Sequence, residues 1–170
     1  MQKHEQAEGP ANGRLPDHWT KPPLGWNKLN VDGAYAMKAG TGGAGMILRD
    51  DDGAIIFASS RHLHTCNSPL EAELAACMEG ISLAYDWSTK PFVIETDSQV
   101  AVNMIMQPET NRSPTVAIMG EIKSLLKQSR EYSVVHVHRS CNNVAHRLAQ
   151  IGHHHVRTAV WLRSGPNEIE

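Results

Sequence analysis

Between residues 28 and 34, Leu29 and Val31 alternate with Asn30 and Asp32, the two-residue period of a strand with one apolar and one polar face. Gly40, Gly42, Gly43 and Gly45 mark a turn into a second strand over 44–49. Asp50-Asp51-Asp52-Gly53 then reads as a hairpin into a third strand over 54–60. The period lengthens after Ser68-Pro69, a cap followed by proline at the first helical position. Leu70, Leu74, Cys77, Ile81 and Ala84 recur at helical spacing as far as Trp87, and Pro91 stops the pattern. A short apolar strand over 92–96 and a helix over 98–106 follow. Ser113-Pro114 opens a third helix with Ile118, Ile122 and Leu125 inward, ending near Arg130. Residues 132–138 alternate Val135 and Val137 with His136 and His138 as a fifth strand, and Asn142 caps a last helix carrying Ala145, Leu148 and Ala149.

Three strands joined by short turns predict an antiparallel meander, and the later strand-to-helix crossovers predict parallel pairing. The expected architecture is α/β: a mixed five-stranded sheet, three strands antiparallel and then two parallel, flanked by helices. Residues 26–155 form the expected domain. Residues 1–25, rich in Gly and Pro, read as a flexible arm whose Trp19, with Trp26 at the domain edge, packs its end onto the domain, and 156–170 as a tail.

The 170 residues suffice for one domain with a core of its own. A net charge of -2 argues against tight, unspecific gripping of a phosphate backbone, so any nucleic-acid contact must come from a local patch or through cations. Cys66, Cys77 and Cys141, an odd number without metal-finger spacing, read as reduced thiols. With no apolar targeting segment, the expectation is a soluble, intracellular monomer without membrane contact.

Three acids stand where a solvated surface acid is not the default. Asp32 lies within a strand, where Asp is depleted; Asp97 directly follows a buried strand; Glu73 sits one turn into the long helix. Each has a plainer reading. Asp97 alone could be a helix cap, Glu73 a first-turn acid facing the helix dipole, and Asp32 a half-exposed residue.

Their surroundings point further. Val31-Asp32-Gly33-Ala34, Gly43-Ala44-Gly45, Ala72-Glu73-Leu74-Ala75-Ala76, Glu95-Thr96-Asp97-Ser98-Gln99 and Asn142-Asn143-Val144-Ala145-His146-Arg147-Leu148-Ala149 occur in the order and spacing of ribonuclease H domains. The chain from Trp26 to Gly152 resembles that family. It looks most like the ribonuclease H-like domains of plant reverse-transcriptase-type retroelements and their free-standing genomic relatives, for which the run from Lys21 to Gly33 is typical. The resemblance implies a ribonuclease H-like fold and two divalent cations, Mg²⁺ or Mn²⁺, held by Asp32, Glu73 and Asp97, with His146 at a fourth position. Glu73 rather than Glu71 matches the family's Glu-Leu pair. Gly33, Gln99 and Arg139 match positions near the nucleic acid.

The implied activity is metal-dependent endonucleolytic cleavage of the RNA strand of RNA–DNA hybrids. The alternative is a weakened or inactive fold, derived from a retroelement, that binds nucleic acid or protein. His146 bears on the choice, because the family places an aspartate there. A neutral imidazole removes a negative charge and offers nitrogen for oxygen, which lowers affinity for a second ion and favours Mn²⁺ over Mg²⁺. A zinc site among His136, His138, Cys141, His146 and His153-His154-His155 finds no matching ligand spacing.

Overall fold

A computed structural model describes residues 16–107, 115–128 and 130–169. The first fifteen residues of the expected arm and the Ser113-Pro114 helix start lie outside them. The meander forms as predicted, from β1 (Asn27–Ala36), β2 (Thr41–Arg49) and β3 (Ile55–Leu63). It is followed by α1 (Pro69–Trp87), β4 (Phe92–Thr96), α2 (Gln99–Met106), α3 (Val116–Leu126), β5 (Tyr132–His136), α4 (Asn143–His155) and β6 (Ala159–Leu162). None of the described helices is long and apolar enough to cross a membrane.

The strands lie in the order β5-β4-β1-β2-β3-β6. Neighbours β1, β2, β3 and β6 pair antiparallel, whereas β4 pairs parallel to both β1 and β5. The sheet therefore has six strands where five were expected, and the sixth comes from the segment read as a tail. At four residues, β6 is too short to display a period. It is recruited by tertiary packing: Trp161 joins Ile47, Ala58 and Leu148 in a small apolar cluster. Val156, in the left-handed conformation at φ 51, turns the chain out of α4 towards it.

The two-residue period divides the core. Leu29, Val31, Met46 and Leu48 face Leu74 and Ile81 of α1 and Ile122 of α3 in the larger cluster. Ile47 points the other way, towards Leu148 of α4. That second face explains the glycines. Gly42, Gly43 and Gly45 belong to strand β2 rather than to the turn predicted for them. A Cβ on Gly43 would stand 2.0 Å from the Ala149 carbonyl oxygen, and one on Gly45 2.2 Å from that of Ala145. The backbone of α4 rests directly on this strand.

The arm also departs from expectation. Residues 16–25 lie on the domain because β1 buries polar groups that require partners. Lys28, nearly inaccessible, pairs with Glu95 at 3.1 Å and donates to the Thr20 carbonyl at 2.6 Å. Trp19 donates its indole N–H to Asn30 Oδ1 at 3.0 Å, while the Arg49 guanidinium covers its ring at 3.9 Å. The packing role expected of Trp19 is met.

Gly45→Ala is expected to cost about 3 kcal/mol by forcing α4 off the sheet. Gly120→Ala, on the exposed face of α3 with open space around it, should instead stabilise by about 0.5–1 kcal/mol. Urea denaturation midpoints check both; equal shifts would contradict the close approach.

Candidate metal centre

Parallel pairing sets Asn30 of β1 opposite Glu95 of β4, so Asp32 and Asp97, two residues further along, emerge side by side. Asp97 does not cap α2. Ser98 does, its hydroxyl accepting from the Ala101 N–H. Glu71 takes the first-turn role in α1, where it accepts from the backbone and side-chain amides of Asn67. Glu73, half a turn further, faces the other acids. Its approach depends on Gly33: a Cβ there would lie 2.3 Å from the Ala72 carbonyl carbon and 2.4 Å from the Glu73 nitrogen. At Gly33, matched above to a position near the nucleic acid, the close neighbour in the fold is the backbone of α1.

Asp32, Glu73 and Asp97 bring carboxylate oxygens within 4.8 Å of one another. Asp32 is wholly buried. As carboxylates, Asp32 Oδ1 and Glu73 Oε2 are buried without any hydrogen-bond donor. Two arrangements relieve this: a proton shared between the two groups, or a cation. Burial foremost, and then the charge of Asp32 and a hydrogen bond to it, push Glu73 up to about 9. Burial also raises Asp32, against the opposing pull of its bonds to Glu73 and His146. Without a cation, the pair therefore holds a proton at neutral pH. An all-oxygen set of this kind suits a hard divalent ion such as Mg²⁺ or Mn²⁺.

His146, on the first turn of α4, adjoins the acids through Asp32, with Nδ1 donating to Asp32 Oδ2 at 2.7 Å. Arg139 lies across the opening. Its Nε donates to Asp97 Oδ2 and its Nη1 stands 3.1 Å from His146 Nδ1. The Asp97 bond raises the guanidinium from its ordinary value. Glu73, Asp97, Ser98 and Arg139 line a surface cleft together with Pro69, Leu70 and Val100. Gln99 is exposed beside it and donates to Asn103 rather than into the cleft.

Two residues outside the candidate set, Asn30 and Asn142, support the site. Asn30 donates to both Glu95 Oε1 and Asn142 Oδ1 at 3.0 Å. Asn142 occupies the cap position of α4 as expected, yet its side chain makes no cap and donates instead to the Val31 carbonyl at 2.8 Å. The signal for Asn30 was its place on the polar face of β1; the partners were invisible. His136, His138 and Cys141 do not converge: His136 bonds the Asp97 carbonyl, His138 bonds Ser140, and Cys141 faces Pro16 and His18. Among the described residues, the groups able to hold a metal ion are the three acids above and Asp50, Asp51 and Asp52. In that second group, Asp50 and Asp51 bind backbone amides of the β2–β3 turn and of Gly25.

A family model described as reverse transcriptase-like matches residues 30–152. An Arabidopsis thaliana protein named as a ribonuclease H protein is 30% identical over 131 residues, 77% of this chain and 21% of its own length. The chain thus spans about a fifth of that relative. The fold is similar to ribonuclease H1 of Halobacterium salinarum, with a TM-score of 0.69 at 22% identity, over 75% of this chain and 97% of the other. It is also similar to LC11 ribonuclease H1, from compost, solved with an RNA/DNA hybrid: TM-score 0.62 at 19% identity, over 73% and 94% of the two chains.

Because Glu73 and Asp32 are raised in the metal-free fold, the stability they contribute is complete below the ordinary carboxylate range. It is lost as pH rises towards about 9. Thermal unfolding in chelator should therefore show a falling Tm between pH 5 and 9, and Mg²⁺ or Mn²⁺ should restore it most at the alkaline end. Glu73→Gln should flatten the profile; an unchanged slope would remove Glu73 as its source.

Proposed function

The chain belongs to the reverse transcriptase-like family with a ribonuclease H-like fold, and on that premise we propose that it is a metal-dependent endonuclease cleaving the RNA strand of RNA–DNA hybrids. The observation that carries this reading is the convergence of three carboxylates in which two buried oxygens have no donor. Asp32, Glu73 and Asp97 hold the metal in this reading. Divalent metal bound there would supply an activated water and stabilise the leaving oxygen of a phosphodiester.

The protein's own groups set the conditions for that chemistry. Gly33 admits the backbone of α1, so that Glu73 meets Asp32. His146 orients Asp32 through Nδ1, and Nε2 is the nitrogen that a second ion would need as a fourth donor. Arg139 directs N–H groups to the rim of the cleft, where a phosphate oxygen can accept them. In this reading Gln99, exposed next to Ser98 and Val100, exchanges its bond to Asn103 for a contact with the strand running past the cleft. With a net charge of -2, affinity rests on these local contacts and on the cation rather than on a basic surface. Hybrid specificity draws support from the neighbour solved with an RNA/DNA hybrid.

A labelled hybrid incubated with Mg²⁺ or Mn²⁺ tests the proposal. Asp32→Asn or Asp97→Asn should slow cleavage by about a thousandfold, since losing a metal ligand removes several kcal/mol of transition-state stabilisation. His146→Asp, which returns an oxygen donor, should speed cleavage in Mg²⁺ by roughly tenfold. Absence of divalent-dependent cleavage above the Asp32→Asn background would sink the nuclease reading in favour of a binding module. No gain from His146→Asp would remove His146 from the donor set.

A further inference from the structure

Two ions would require a donor from His146 for the second, and Arg139 stands in the way. The guanidinium bridges the gap between Asp97 and His146. Nε is bonded to Asp97 Oδ2, and Nη1 lies 3.1 Å from His146 Nδ1 and 3.4 Å from Nε2. The His146 nitrogen left for a cation thus faces a fixed positive charge. This differs from a surface ion pair. The Asp97 side chain is 11% exposed, and the arginine that meets it also contacts the residue holding Asp32.

We propose, resting on the nuclease reading above, that the Arg139 guanidinium takes the place of a second cation, so that the centre loads one divalent ion. The charges favour this. One divalent ion and one guanidinium together match three ionised carboxylates. A second divalent ion would leave the centre positive before any phosphate arrived, and would have to displace Arg139 from Asp97. A planar guanidinium suits the place, because it stays charged at any working pH and presents several N–H groups in a fixed fork. It engages one oxygen of Asp97 and leaves the other for the ion. It donates hydrogen bonds to phosphate oxygens but does not ligate water, so it supplies charge at the second position without a second metal's coordination.

Titration of the metal-free full chain with Mn²⁺, reading free Mn²⁺ by electron paramagnetic resonance and heats by calorimetry, decides the matter independently of turnover. Wild type is expected to bind one Mn²⁺ per chain. Arg139→Ala should admit a second, at least roughly tenfold weaker than the first; circular dichroism confirms its fold, since the parent side chain is half exposed. Two ions on wild type, or a single ion on Arg139→Ala, would overturn the inference and leave the nuclease reading standing. No Mn²⁺ binding by wild type would instead overturn the nuclease reading itself.

Discussion

Asp32 is a carboxylate with no exposure to water, placed mid-strand in a sheet and within reach of two further acids. Like charges so close and so dry repel and are poorly solvated, so the arrangement persists only if something else neutralises it. Much of the surrounding structure answers that demand. A proton serves in the absence of metal, which is why Glu73 is raised so far. A hard cation would serve in its place. Arg139 on Asp97 and His146 on Asp32 supply the remainder from the protein itself.

Holding the acids in place depends on two close approaches and one polar network. Gly33 brings α1 against β1, and the glycines of β2 bring α4 against the opposite face. Both helices thereby deliver a side chain to the same end of β1. The network of Lys28, Glu95, Asn30 and Asn142 fastens β4 and α4 to β1 just before Asp32. Residues 16–25 complete it, since Thr20 and Trp19 satisfy the buried ammonium and amide. The segment before the first strand therefore supports the site without touching its acids.

The guanidinium ties this local electrostatics to the chain's charge as a whole. At a net charge of -2 the chain carries no bulk excess of positive charge for a phosphate backbone, and Arg139 places a guanidinium at the cleft beside Glu73 and Asp97. An imidazole at His146 brings no negative charge to this side of the centre, where the guanidinium stands 3.1 Å from Nδ1.

The sequence by itself determined the meander, the long helix with its Ser68-Pro69 start, and the three acids. Each rests on local information: a period, a cap, or residues flanking one position. It also separated Glu73 from Glu71, because Glu73 with Leu74 matches the Glu-Leu pair that the resemblance implies. What it did not show arises between segments distant in the chain. The strand β6 forms only because Trp161 finds Ile47 and Leu148. The glycines of β2 read as a turn until α4 is seen lying on them, and Asn142 reads as a cap until Val31 offers a better acceptor. Arg139 shows a basic residue in the sequence, but its grip on Asp97, forty-two positions away, exists only once β4 and the turn before α4 are brought together. Local propensity chose the elements; the pairing of buried charges and polar groups across the fold decided how the site is finished.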